Sequence, residues 1–513
     1  MTASRAKAKW SMSPQAPSGR SGRAPCMRST SMTGIFCAPP RATCGLSAPF
    51  RRLCRAAKPM TPTAATSSRT SRPSPFRPWH IIAGCRHGSA AHGRSCERHY
   101  SDIGKSVSLL DFSAKVPKQP DGDIMAGRFF SADEARLMAR SRLPRMMFDF
   151  VDGAAGDESL RYINSRVIDA IRLMPRVLAD VATRDLSHRF LGMETGSPFG
   201  IAPMGMCNLT WPGADMMLAR AAAARRIPVC VSTASSTTLE AMQEVAGGSA
   251  WFQLYADRSA AFTDELVDRA EAAGYEVLIL TVDVPVLSQR IRDLRNGFKY
   301  PFHWGPHQIW DLATHPRWSI ATLGATLASG LPRTMNYATS SSGASFERGA
   351  DRTGADWDYL ERLRSRWKRK LVIKGVQCPA DAERIKSAGA DAIWVSNHGG
   401  RQLNAAPSAI EALAAVRDTV GDDYPVIMDG GIRSGEHVVK ALACGADFVM
   451  LGRTVMYGIG ADAERGLSRM LDQVSKETAT VMGLLGHSSV AGLGRHCLAS
   501  SHPGFAVLPA GKA

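Results

Sequence analysis

The chain has 513 residues, 44% of them hydrophobic, which is enough for a large core and excludes disorder throughout. Its net charge of +17 would suit a nucleic-acid binder, but residues 1–100 hold 17 basic residues and one acid, Glu97, leaving 46 basic and 45 acidic side chains elsewhere. No run of eighteen apolar residues occurs, so no helix is long and apolar enough to cross a membrane.

Residues 1–124 form a tract rich in Ser, Pro, Arg, Ala and Thr without sustained periodicity, and they cannot bury enough apolar surface to offset chain entropy. A disordered basic tail is expected. Its Arg- and Ser-rich, acid-poor composition fits a targeting segment, a basic arm for an anionic surface, or a stretch ahead of a natural start at Met125. No function is assigned to it, and no nucleic-acid partner is expected. Six cysteines lie in the first hundred residues, and Cys207, Cys230, Cys378, Cys444 and Cys497 are scattered singly through the body. Without C-x-x-C spacing, neither a disulfide framework nor a metal site is expected, and a reducing, cytoplasmic setting is.

Order is expected from Ser131. Ser131-Ala-Asp-Glu134 is a capping box for a helix through Met138, and a second segment runs Met146–Val151 to a stop at Gly153. Eight short, nearly continuous apolar runs follow, at 199–206, 228–233, 250–256, 277–284, 371–376, 392–399, 425–432 and 448–453. Ala- and Leu-rich stretches of helical spacing separate most of them. Runs apolar at every position suit strands buried on both faces, hence a parallel sheet, and eight strand–helix units predict a (β/α)8 TIM barrel over 125–500. The fourth and fifth runs start 94 residues apart, which implies an insertion at about 297–365. The insertion carries Tyr300, Phe302, Trp304, Trp310, Trp318 and a polar middle that is expected to be mobile. Residues 501–513 are read as a tail.

In such a barrel the functional groups lie at the C-terminal strand ends. Those ends supply Pro203, Met204, Gly205, Ser232, Gln253, Tyr255, Thr281 and Asp283. The last four supply Lys374, Ser396, His398, Asp429, Gly430, Gly431, Gly452 and Arg453. The loops after the last two strands, with Gly430, Gly431, Arg433, Gly452 and Arg453, are where barrels bind phosphate through glycine N–H groups, a helix N-terminus and guanidinium groups. His398, with Arg401 one turn away, has the residue type of a general base beside a carboxylate fork, and Arg290 is a second arm of that fork. Lys374 on a barrel rim calls for an anion such as a phosphate, an enolate or a reduced flavin, unless it snorkels to solvent.

The segment SNHGGRQL (396–403), with FQLY (252–255), LTVDVP (280–285), IKGV (373–376) and LGR (451–453) in order, resembles the FMN-dependent 2-hydroxy acid dehydrogenase and oxidase family across residues 128–500. APMGMCNLTWPGAD (202–215), VSTASS (231–236) and HPRWS (315–319) are most similar to its mandelate and lactate dehydrogenases. The resemblance implies FMN as cofactor and oxidation of an (S)-2-hydroxy acid to the 2-oxo acid. It implies His398 as base, Asp283 as the partner of protonated His398, and Arg290, Arg401 and Tyr255 as substrate ligands. Lys374 would lie beside the flavin. Pro203, Met204, Ser232, Gln253 and Thr281 would contact the isoalloxazine or ribityl, and Gly431, Arg433, Gly452 and Arg453 the phosphate.

The resemblance also implies a quinone or other electron acceptor, a homotetramer, and contact of the insertion (297–345) with the inner face of the cell membrane. The alternative for the insertion is a lid over the barrel mouth. Two departures matter. Phe150 stands where the family carries a tyrosine whose hydroxyl reaches the substrate carboxylate, and Ala234 where several relatives carry a bulky aromatic. The first predicts weaker substrate binding, a different substrate or compensation elsewhere, and the second predicts room for a mandelate-like side chain. An oxygen-using oxidase, a flavin protein with impaired catalysis, and a flavin-free barrel isomerase are the competing readings.

Overall fold

The computed structural model describes residues 128–257, 260–298, 305–342 and 352–499. The tail 1–124, Met125, residues 501–513, the insertion's Lys299, Tyr300, Phe302 and Trp304, and 343–351 of its polar middle lie outside the described residues.

Three helices open the described residues: α1 (Ala132–Arg142), α2 (Arg145–Asp152) and α3 (Ser159–Ala170). Ser131 caps α1 as expected, accepting from Glu134 N–H at 3.2 Å, but Glu134 Oε2 accepts from Phe130 N–H at 2.8 Å rather than from Ser131 N–H, so only the serine half of the capping box forms. A short antiparallel hairpin, β1 (His188–Phe190) and β2 (Met193–Thr195), precedes the barrel. The eight apolar runs then become eight parallel strands: β3 (Phe199–Met204), β4 (Val229–Ser232), β5 (Trp251–Leu254), β6 (Val277–Thr281), β7 (Lys370–Val376), β8 (Ala392–Val395), β9 (Val426–Met428) and β10 (Phe448–Leu451). They close in the order β10-β3-β4-β5-β6-β7-β8-β9, a (β/α)8 barrel as read from the sequence.

The strands are apolar throughout because both faces are buried. Cys230, Trp251, Ile279, Val372, Trp394, Ile427 and Met450 fill the barrel, while Val231, Phe252, Leu280, Ile373, Val395 and Leu451 pack outward. Phe190 of the hairpin stacks on Phe448, ring centroids 5.0 Å apart, at the N-terminal ends of the strands. The hairpin therefore stops the end of the barrel away from the functional rim. Its strands of three residues are too short to show a period in the sequence.

Helices follow the strands in turn: α4 (Ala214–Arg225), α5 (Leu239–Val245) and α6 (Ala260–Ala272), and then, after β6, α7 (Ile291–Arg295), α8 (Pro306–Ala313), α9 (Pro316–Ser329), α10 (Met335–Ala338) and α11 (Trp357–Arg366). The last part of the expected insertion is thus α11, which buries Leu360 and Leu363 against the barrel. The circuit ends with α12 (Pro379–Ser387), α13 (Ala409–Val420), α14 (Gly435–Ala443) and α15 (Arg453–Leu484), whose helical backbone breaks at Asp462–Ala463.

One buried carboxylate ties the opening helices to the rim. Asp152 accepts from Arg136 at 2.6 Å, Arg161 at 2.7 Å, Arg292 at 2.8 Å and the Tyr457 hydroxyl at 2.7 Å. Burial opposes its ionisation, but Arg136 and Arg161 hold the carboxyl far below its usual range. The cluster joins α1, α2, α3, α7 and α15, and so places Phe150 on α2 and Arg290 at the start of α7.

Candidate active site

A cavity opens at the C-terminal ends of the strands. Of the residues expected there, Pro203, Met204, Gly205, Ser232, Tyr255, Arg290, Lys374, His398 and Arg401 line it, as do Asp429, Gly430, Gly431, Arg433, Gly452 and Arg453. Asp283, Gln253, Thr281 and Ser396 stand behind this lining, where they hold or adjoin it.

His398 sits in a single 3-10 turn, His398–Gly400, with left-handed backbone at φ 55°. Its Nδ1 faces Asp283, 3.0 Å from Oδ1 and 3.2 Å from Oδ2. That partner puts the ring proton on Nδ1 and leaves Nε2 a lone pair. Burial pushes the imidazole pKa down, and Lys374 and Arg290 add to this against the pull of Asp283, so the ring is neutral near pH 7. Asp283 stays ionised: burial raises its pKa, but His398 and Lys374 bring it below the usual value. The carboxylate needs Gly375 beside it, since that residue has φ 105° and a Cβ there would lie 2.5 Å from the Asp283 Cβ.

Lys374 is buried and does not snorkel. Its Nζ donates to Ser396 Oγ at 2.8 Å, lies 3.1 Å from Asp429 Oδ2 and sits over the Trp394 ring. Ser396 in turn donates to Asp429 Oδ1 at 2.6 Å. Burial works against the ammonium, but the Asp429 and Asp283 carboxylates raise its pKa and keep it charged. The anionic partner that the sequence required is thus partly supplied by the protein, and Asp429 doubles as wall and counterion.

The polar groups fit FMN at both ends of the cavity. On β5 and β6, Gln253 Nε2 and Thr281 Oγ1 are buried without a hydrogen-bond partner, while Gln253 Oε1 accepts from Ser232 Oγ at 2.9 Å. A buried amide N–H and hydroxyl left unpaired cost about 1–3 kcal/mol each, which the ring acceptors of a flavin would offset. At the other end Arg453 opens α15 and lies beside Arg433 and Arg401. It donates to the carbonyls of Val151 at 3.1 Å, Gly399 at 2.7 Å and Gly153 at 2.7 Å. Burial, with the neighbouring Arg401 and Arg433 charges, presses its pKa down to about 9, the mark of a positive site that favours an anion. A Cβ on Gly452 would meet nothing within 4 Å, so the backbone before α15 is open to a phosphate.

Tyr255, Arg290, Arg401 and Phe150 complete the wall. Arg401 donates to the carbonyls of Phe150 and Gly153 at 3.0 and 2.9 Å, so part of its guanidinium anchors α2. Phe150 stacks on buried Phe298 with centroids 4.8 Å apart and planes 7° apart, forming an aromatic slab. Arg352 was not anticipated. It lines the cavity with its guanidinium 4.3 Å from the Tyr255 ring centroid, and its backbone N–H donates to Pro285 O at 3.0 Å. Burial raises the Tyr255 pKa and Arg352 offsets part of that rise. A lone arginine in the insertion's polar tract carries no signal in sequence.

Residues 139–500 match the family described as FMN-dependent dehydrogenase. The chain is 36% identical over 375 residues to (S)-mandelate dehydrogenase of Pseudomonas putida, covering 72% of this chain and 93% of that protein. It is 36% identical over 386 residues to an L-lactate dehydrogenase of Caulobacter vibrioides, covering 73% and 98%. A crystal structure of the monotopic membrane protein (S)-mandelate dehydrogenase matches with a TM-score of 0.68 at 36% identity, over 72% of this chain and 99% of that one. A mandelate oxidase structure matches with a TM-score of 0.61 at 33% identity, over 72% and 98%.

Proposed function

The chain belongs to the FMN-dependent dehydrogenase family, and from that premise we propose that it oxidises an (S)-2-hydroxy acid with a mandelate-like side chain to the 2-oxo acid. The observation that carries this reading is His398, oriented by Asp283, in a cavity that also holds Arg290, Arg401 and Tyr255. Bound FMN supplies the acceptor for the two electrons of the substrate C2–H bond. Gln253, Thr281, Ser232, Pro203, Met204 and Gly205 would hold its ring system, with Lys374 as the positive charge beside it. Ser396 and Asp429 keep Lys374 in place. Gly430, Gly431, Arg433, Gly452 and Arg453 would hold its phosphate.

Arg290 and Arg401 bind the substrate carboxylate, and Tyr255 donates a hydrogen bond to the substrate. His398 Nε2 accepts the proton that leaves the substrate, from the hydroxyl or from C2, and Asp283 stabilises the resulting imidazolium. Ala234 and the Phe150–Phe298 slab favour a large, apolar C2 substituent over a methyl group or hydrogen.

The acceptor of the second half-reaction is a quinone or another carrier, and the protein acts as a homotetramer. The insertion supports docking on the inner face of the cell membrane. One side of it packs on the barrel, with Trp318 buried and donating to Thr210 O at 2.8 Å, while Ile320, Leu323 and Leu327 of α9 and Ile309 and Trp310 of α8 are exposed.

The test is the visible spectrum of the purified protein before and after anaerobic addition of (S)-mandelate, L-lactate or glycolate. Bleaching of a flavin band by mandelate, and less by the others, is the expected result. A flavin band that no 2-hydroxy acid bleaches overturns the reading, and a colourless protein revives the isomerase. Stoichiometric peroxide release in air would replace the dehydrogenase with an oxidase.

A further inference from the structure

Away from the flavin cavity, the turn after α15 folds back on itself and brings two histidines to a buried cysteine. His487 Nε2 lies 3.5 Å from Cys497 Sγ. The His487 and His496 rings meet edge to face with centroids 5.5 Å apart. One ligand atom from each of the three residues falls within 4.8 Å of the other two.

The His487–Cys497 separation is that of two ligands in a tetrahedral site, and the ring spacing of His487 and His496 is close to it. Zinc–sulfur and zinc–nitrogen bonds of about 2.3 and 2.0–2.1 Å put a thiolate and an imidazole nitrogen about 3.6 Å apart, and two ligating imidazole centroids about 5 Å apart. The backbone is shaped to hold the set. A Cβ on Gly492 would lie 2.5 Å from His487 Nδ1, so the chain passes directly against that side of the ring while Nε2 is turned to the sulfur. Cys497 is fixed from both sides, its carbonyl accepting from Met174 N–H at 2.8 Å and its N–H donating to Gly494 O at 2.9 Å. His496 is exposed, so the fourth position faces water.

We propose that His487, His496 and Cys497 bind one zinc ion through Nε2 of His487, a ring nitrogen of His496 and the thiolate of Cys497, with water as the fourth ligand. Binding replaces the S–H bond with a Zn–S bond and releases that proton to solvent. The ion cross-links the segment 487–497, which is joined to the chain after α3 by the Met174 N–H to Cys497 O bond and the Asp185–Ser489 bridge, and so fastens the C-terminal end of the barrel domain. None of the three residues lines the flavin cavity, so the site is independent of the proposed oxidation. The sequence hid it because the ligands are spaced H-x8-H-C, unlike the paired spacings of common zinc modules.

Cobalt(II), whose thiolate complexes absorb, is the probe, and zinc is its competitor. Because the tail holds further His and Cys residues, each titration of the full chain is read as the difference between wild type and a variant. Wild type is expected to show one more equivalent of thiolate-to-cobalt absorption than C497S, and zinc is expected to abolish it. H496A, which alters only an exposed side chain, is expected to weaken cobalt binding roughly tenfold or more while the flavin spectrum is unchanged. If C497S and H496A titrate like wild type, the His487–Cys497 contact is only a thiol–imidazole hydrogen bond and the proposal falls.

Discussion

Replacing Asp283 with asparagine keeps the volume and removes one charge, so it isolates what that carboxylate does for His398. With Nδ1–O distances of 3.0 and 3.2 Å, the charges of imidazolium and carboxylate sit roughly 4 Å apart, which is worth about 4 kcal/mol at the effective dielectric of a protein site. At about 1.4 kcal/mol per pKa unit, His398 would lose up to roughly three units of basicity, and the proton-transfer step up to about 10³ in rate. Asparagine can also donate to Nδ1, which would shift the proton to Nε2 and remove the lone pair that faces the cavity. The assay is anaerobic stopped-flow bleaching of the flavin under saturating substrate from pH 5 to 9. In wild type the rate falls as pH drops through the His398 pKa, which burial places below the ordinary histidine value of about 6.5, and is flat above it. In D283N the acidic limb moves lower still and the plateau drops by about 10²–10³, while flavin content is unchanged. A plateau within about threefold of wild type, with the limb in place, would refute the pairing of His398 with Asp283 as the base.

Three further outcomes are expected. F150Y adds the hydroxyl that the family places at this position, and a new hydrogen bond to the substrate carboxylate of about 1.5–3 kcal/mol should lower KM roughly 10- to 150-fold; unchanged kinetics for every 2-hydroxy acid tried would mean that Arg352 or another group already serves that carboxylate, or that it binds elsewhere. R453K keeps the charge but loses the planar fork, so FMN affinity should fall roughly tenfold or more, read from quenching of FMN fluorescence on reconstitution, with equal affinity counting against the phosphate assignment. G375A drives a methyl group into Asp283 from a backbone at φ 105° and should cost about 2–4 kcal/mol of stability; an unshifted urea midpoint would show that the loop relaxes freely.

Much of this protein was legible in its sequence. The eight strands were visible because a strand buried on both faces is apolar at every position, a pattern that depends on no long-range contact. The rim residues were visible because a barrel confines its chemistry to one end of each strand, so a polar residue ending an apolar run is already placed. His398, Lys374 and the Gly–Arg pairs could be named on that ground. What the sequence did not carry was partnership. That Asp429 neutralises Lys374 with Ser396 bridging the two, that Asp152 gathers Arg136, Arg161 and Arg292, and that Arg352 reaches over Tyr255 from the insertion all depend on side chains converging from different elements, and His487 and His496 meet Cys497 only because the turn after α15 folds back on itself. Local pattern determines which residues are buried and which end strands, because burial follows the period of the backbone. Charge state, tautomer and ligand geometry are set by neighbours within a few ångströms, and those neighbours were chosen only when the barrel closed.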